Sequence, residues 1–390
     1  MAVTAFDVTA VRERFSALQQ PFAFMDAPGG TQVPDEVGQA MADAVRDASG
    51  NLGAPYATGR AVEAILARAK EDAARFLGSS PAEIVFGQNM TTLDFALSRV
   101  AGRELREGDE ILVTALDHDG GVAPWVELAA DRGLVVRTAA ARDDLTVDVD
   151  DLERQLTDRT RVVAFAWASN AVGAVADATR ICALAREAEA LSWIDAVHYA
   201  AHEPIDVADL GCDVLLCSPY KFCGPHLGVA HVRKEVAETW RPYKARPSQS
   251  SPVGRRFETG TPAYELLAAF SATIAYLDSI GGMGPIRDYE RMLGERFLAR
   301  LPHGVTLVGP QGMEGRVPTF LLTIDGIEAA DAAHRLAERG FGVWYSDNWY
   351  CVGLEDRLPP SSLRVGFAHY NTAVEVDRLA GELGRLAGSS

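Results

Sequence analysis

The chain has 390 residues, with 48% apolar and 23% charged side chains, which excludes a peptide-sized module and a disordered one and leaves room for two or three domains with a large core. Asp and Glu number 54 against 37 Lys and Arg, a formal net charge of -17, so an average surface of this chain repels a phosphate backbone and nucleic acid is not an expected partner.

At the N-terminus, Asp7, Arg12, Glu13 and Arg14 interrupt any apolar stretch of signal-peptide length. The longest apolar run is 162–168, far short of the roughly 20 residues that cross a bilayer, so no membrane segment and a cytoplasmic location are expected. The first strong helix pattern follows: Val62, Ile65, Leu66, Ala69, Ala73 and Phe76 recur at steps of three and four, and Gly78 stands where a left-handed cap ends a helix. Ser80, Pro81 and Glu83 then predict a short capped turn before a strand at 84–86. Further strands are predicted at 111–115, 134–138, 162–168, 191–195, 214–217 and 228–232, with helical stretches between them, clearest at 179–190. Such alternation is the pattern of an α/β fold whose mainly parallel sheet carries helices on both faces. Residues 241–256 collect Pro, Ser, Arg and Gln without periodicity and read as a long loop. Beyond it the pattern predicts helices at 264–280 and 289–301, then a βαβ-like tail closing with a helix after Asn371. The expected plan is an N-terminal segment (1–20) packing on the smaller domain, a large α/β domain (21–262) and a smaller α+β domain (263–390), with a site in the cleft between the two domains.

Five cysteines, Cys182, Cys212, Cys217, Cys223 and Cys351, are sparse and never form a C-x-x-C pair, so neither a disulfide framework nor a metal site is expected. The strongest chemical signal is instead a pair. Asp195 ends the strand 191–195, and Lys221 follows the next one in Ser218-Pro219-Tyr220-Lys221-Phe222-Cys223-Gly224-Pro225. A lysine that holds pyridoxal phosphate (PLP) as a Schiff base needs a carboxylate across the cofactor, because the ion pair keeps the pyridine nitrogen protonated and makes the ring an electron sink. Near Asn89-Met90-Thr91-Thr92 a strand gives way to a helix, whose free N–H groups and dipole suit a phosphate.

With these motifs the chain resembles the class V aminotransferase family of fold-type-I PLP enzymes, and within it is most similar to the cysteine desulfurases and selenocysteine lyases. The resemblance runs over nearly the whole chain and implies a mainly parallel seven-stranded sheet in the large domain. It also implies that Lys221 binds the cofactor, with Tyr220 standing where the family has histidine and both Ser218 and Tyr220 able to donate to the phosphate. His118, in Asp117-His118 ahead of Val122-Ala123-Pro124-Trp125, matches the histidine that stacks on the cofactor ring and relays protons. Asn170 matches the position whose amide contacts the phenolic oxygen and the substrate; His198 stands where desulfurases commonly carry glutamine. Met90 and Thr91 fall on the phosphate cradle, and Thr261, in Phe257-Glu258-Thr259-Gly260-Thr261-Pro262, falls on the contact to the phosphate of a partner subunit, which implies a homodimer. Arg364 matches the arginine that forks onto an α-carboxylate, and Gly29 and Gly30, in Met25-Asp26-Ala27-Pro28-Gly29-Gly30, fall on the substrate side of the cofactor.

The expected function is thus a PLP-dependent lyase or transferase acting on an amino acid, with cysteine desulfurase-like cleavage of a carbon–sulfur bond. Lys221 would exchange its aldimine for that of the substrate and remove the α-proton, and Asp195 with the ring would hold the carbanion. The resemblance equally covers transamination and epimerisation of the isopenicillin N epimerase kind. A catalytically retired dimeric binding protein is the reading from another class. Cys351 lies near the segment where desulfurases place their sulfur acceptor, but the arginine and paired histidines usual there are absent, and its neighbours Trp349 and Tyr350 suggest a packed, neutral thiol.

Overall fold

The computed structural model describes residues 6–245 and 250–388. Its largest layer is a seven-stranded sheet in the order Ile84–Gly87, Gly228–Val232, Val214–Cys217, Leu191–Asp195, Thr160–Ala166, Glu110–Thr114, Val135–Ala139. Gly228–Val232 runs antiparallel to both neighbours, and every other pairing is parallel. The central strands are buried on both faces, which is why they read in the sequence as largely apolar runs. The edge strand Val135–Ala139 is instead largely exposed. Helix Ala57–Leu77 ends where the pattern predicts, at Gly78 with φ 66°. Helix Tyr264–Ser279 lies across Ala57–Leu77 and Asp35–Asp47 and sends Leu267, Phe270 and Ile274 into the main core.

The second sheet has four strands in the order Trp344–Ser346, Ser362–Gly366, Thr319–Ile324, Val305–Val308. The expected βαβ unit is present as Thr319–Ile324, helix Ala329–Glu338 and Trp344–Ser346. Ser362–Gly366 slots between its two strands, however, so every ladder in this sheet is antiparallel. Its core includes Ala23 and Met25 from the start of the chain. The helix expected at 289–301 runs from Met283 to Leu298: Pro285 falls in the first turn, where the missing N–H has no intrahelical partner to lose. Of the loop expected at 241–256, residues 246–249 lie outside the described residues, and Val253–Arg256 forms a 3-10 turn.

Glu290, on helix Met283–Leu298, joins the two sheets. His202, beyond the end of strand Leu191–Asp195, meets its Oε2 at 2.7 Å; His369, beyond strand Ser362–Gly366, stands 3.6 Å from its Oε1 and pairs in turn with the Tyr276 hydroxyl at 2.8 Å. Full burial opposes ionisation of Glu290, yet the two imidazoles hold its carboxyl below the ordinary value.

Candidate active site

A cavity of about 740 Å³ opens beyond the carboxyl ends of the parallel strands, between the large sheet and the strand that carries Arg364. Crevices at this place in α/β sheets collect ligands because several strand ends deliver side chains to one spot. Of the site residues expected from the sequence, Gly30, Thr261 and Cys351 do not line it, and the others do.

Asp195 and Lys221 both face this space. Asp195 is the last residue of its strand; its Oδ1 accepts the Val197 N–H at 2.8 Å. Burial, aided by the charge of Asp117, pushes its carboxyl up to about 7. A fully buried Asp94, bonded to Trp193 Nε1 at 2.9 Å, lies behind it, and burial together with Asp195 raises the Asp94 carboxyl well above its usual range. Lys221 ends the short turn Pro219–Lys221, donates to the Pro28 carbonyl and lies over the Tyr220 ring at 4.5 Å. Burial and the Arg364 charge bring its ammonium down to about 8, so a nucleophilic amine is within reach near neutral pH. Tyr220 stacks on His226, with centroids 4.9 Å apart, and so stands beside the lysine.

An anion cradle lies at the start of helix Met90–Ala101. Asn89 caps it: its Oδ1 accepts the Thr92 N–H at 2.9 Å, and the Met90 N–H donates to Ser218 Oγ at 3.1 Å. That leaves the Thr91 N–H and hydroxyl, and the Ser218 hydroxyl proton, as donors on residues that line the cavity. Phosphate fits this donor set, and a buried carboxylate across from a depressed lysine fits a pyridinium aldehyde. The residues present therefore suit PLP.

His118 caps helix Asp119–Arg132, and its Nδ1 accepts the Gly120 N–H at 2.9 Å, which places the ring proton on Nε2. Burial and Lys221 push the imidazole down to about 4, so it is neutral. Buried His198 meets Thr319 Oγ1 at 2.9 Å and is held well below its usual value by burial and His202. Asn170 lines the cavity, but its amide is turned toward another segment: Nδ2 donates to the Trp349 carbonyl at 2.9 Å, and Oδ1 accepts the Cys351 thiol at 3.4 Å. Cys351 is fully buried, and burial with nearby Asp117 pushes its thiol up to about 12. Thr261 is exposed at the surface.

Three contributors escaped the sequence reading. Tyr350 stacks on His118 and Trp349 lies under Arg364, both from a segment read only for its cysteine; Asp26, inside a quoted motif, grips Arg364. A pair of aromatic residues beside a cysteine was the available signal for the first two.

The class V aminotransferase family model matches residues 23–379, and the chain belongs to that family. It is 32% identical to a probable cysteine desulfurase 2 of Mycobacterium leprae, over 97% of this chain and 96% of the relative. It is 29% identical to the aminotransferase-like protein FGM3 of Gibberella zeae, over 97% and 98%. Among solved structures, the cysteine desulfurase CsdA of Escherichia coli superposes with a TM-score of 0.88 at 25% identity, over 99% of this chain and 100% of that one. The apo cysteine desulfurase of Thermococcus onnurineus shares the fold with a TM-score of 0.93 at 24% identity, each chain covered in full.

Proposed function

We propose that this chain is a PLP-dependent enzyme that acts on an amino acid and cleaves a carbon–sulfur bond in the manner of the cysteine desulfurases. The observation that carries the reading is the single cavity onto which Lys221, Asp195 and Arg364 converge. Thr91 and Ser218 would hold the cofactor phosphate, Asp195 the ring nitrogen and Lys221 the aldehyde carbon. When bound, the cofactor supplies a ring that accepts the electron pair left at the substrate Cα. Lys221, with its depressed basicity, moves the Cα proton; Arg364 fixes the carboxylate; His118, neutral and capped on Nδ1, presents Nε2–H. All five cysteines are buried, which favours elimination, in which the Cα electron pair forms a Cα–Cβ double bond and the sulfur leaves as sulfide or thiol, over transfer of the sulfur to Cys351. The same machinery serves transamination or epimerisation.

In this proposal the protein is a cytoplasmic homodimer in which Thr261 reaches the phosphate of the partner subunit, and the chain divides near residue 262. The deciding experiment is incubation of the purified, PLP-loaded protein with a panel of amino acids, cysteine and its S-conjugates included, scoring sulfide, keto acid and racemisation separately. Sulfide or thiol release supports the proposal. Racemisation or keto acid without sulfur release assigns the alternative reaction, and a protein that takes up no PLP and turns over none of the panel returns the chain to a dimeric binding role.

A further inference from the structure

Arg364 is held on three sides before any substrate arrives. Its Nε and Nη2 donate to Oδ1 and Oδ2 of Asp26 at 2.8 and 3.0 Å, its Nη1 donates to the Asn170 carbonyl at 3.0 Å, and the Trp349 ring lies 4.6 Å from the guanidinium carbon. Arg364 and Asp26 come from opposite ends of the chain, brought together where Gly366 bridges Asp26 beside the strand. The backbone makes room for the pair: a Cβ at Gly29 would overlap Asp26 Oδ2. Both Asp26 oxygens accept, which is the arrangement of a carboxylate. Burial drives its carboxyl upward, against the opposing pull of Arg364 and Lys221.

Which edge of the guanidinium Asp26 occupies decides its role. A guanidinium has five N–H groups. Asp26 takes Nε–H and one on Nη2, and Asn170 takes one on Nη1, so one N–H remains on each terminal nitrogen. Arg364 lines the cavity and Asp26 does not. The carboxylate therefore grips the arginine from behind and leaves the end of the fork to the cavity.

We propose that Asp26 is a positioning residue for substrate recognition: by clamping the Nε edge of Arg364, it presents the terminal edge to the α-carboxylate of an amino-acid substrate and so makes that carboxylate a requirement for tight binding. This rests on the PLP reading above. It differs from an autoinhibitory pairing, in which Asp26 would compete with the substrate for the fork.

The test uses the PLP-loaded protein and two probes that differ only in the carboxylate, L-alanine and ethylamine, each titrated against the visible absorbance of the bound cofactor. In the wild type, L-alanine binds more tightly. In Asp26→Asn, which keeps the side-chain volume, the clamp loses its charge. The expected result is about a tenfold loss of L-alanine affinity with ethylamine affinity and cofactor absorbance unchanged. In an Arg364→Lys background the same change has no further effect on the ratio of the two affinities, because the planar fork is already gone. Unchanged L-alanine affinity in Asp26→Asn overturns the proposal, and tighter L-alanine binding overturns it in favour of autoinhibition. Parallel loss for both probes makes Asp26 merely structural. A wild-type protein that takes up no PLP overturns the underlying reading and this inference with it, and the missing absorbance distinguishes that case from the others.

Discussion

The phenol of Tyr350 lies nearly flat on the imidazole of His118, with ring centroids 5.4 Å apart and planes 22° from parallel, so one face of that imidazole is covered from within the chain. Keeping it there requires an unusual backbone. Trp349 and Tyr350 are consecutive non-glycine residues with φ of 55° and 56°, and the Asn170 amide and the Asp119 N–H hold their carbonyls at 2.9 and 2.7 Å. Left-handed aromatic residues cost on the order of 1–3 kcal/mol each and persist where surrounding contacts impose them.

Tyr350→Ala is expected to let water reach His118. Because burial is the main force lowering that imidazole to about 4, its pKa should rise toward the ordinary 6.5 and the acid limb of the kcat profile should move up with it. Titration of the His118 ring signals by NMR, in the wild type and the variant, checks this; an unmoved pKa would show that Tyr350 does not shield the ring.

Lys221→Ala should abolish turnover, and in cofactor-free protein it should also stabilise the fold. The folded ammonium titrates at about 8 and the unfolded one near 10.5, so the buried charge costs stability in full below pH 8 and progressively less as pH rises to 10.5. Denaturant unfolding at pH 7 and pH 10.5 measures it. The variant's advantage, up to about 3 kcal/mol at the lower pH, should shrink at the higher.

Asp195→Asn follows the opposite course with pH. Its folded carboxyl titrates at about 7 against an ordinary 3.8, so the native carboxylic acid contributes stability that is fully present below pH 3.8 and lost as pH rises through 7. Without cofactor, the variant should match the wild type at pH 4 and exceed it by a few kcal/mol at pH 8, while PLP affinity falls. An equal gain at both pH values would mean that the carboxylate charge is not the source of the cost.

The folded protein should resist alkylation. Cys351 titrates at about 12, and Cys182, Cys212, Cys217 and Cys223 are likewise buried with thiols pushed upward. Iodoacetamide at pH 7.5 followed by mass spectrometry of the native protein is expected to find all five unmodified. Rapid labelling of Cys351 alone would restore it as a sulfur acceptor.

The sheet was legible because its central strands are buried on both faces and so appear as largely apolar runs, and Asp195 and Lys221 were legible because one ends such a strand and the other follows the next within a few residues. The arrangement of the fork was not. Asp26 and Arg364 are 338 residues apart in sequence, and no local pattern announces a bond across that span. The stacking of Tyr350 was equally hidden, since it depends on a left-handed backbone that aromatic residues seldom adopt. Helix Met283–Leu298 starts ahead of the helical pattern at 289–301, because Gly284 and Pro285, which disfavour helix interiors, are tolerated in a first turn.

Glu290 bears on how a substrate enters. Its carboxylate is shared between His202, beyond the strand of Asp195, and His369, beyond the strand of Arg364. Swinging the two sheets apart like a clamshell would strip a buried anion of a partner, a change that costs about 3–5 kcal/mol and keeps the swung-open population below about one molecule in a hundred. Traffic through the cavity is then left to rearrangement at its aromatic rim, where Trp344 and Tyr350 are exposed. Heat should accordingly melt both sheets in one cooperative step.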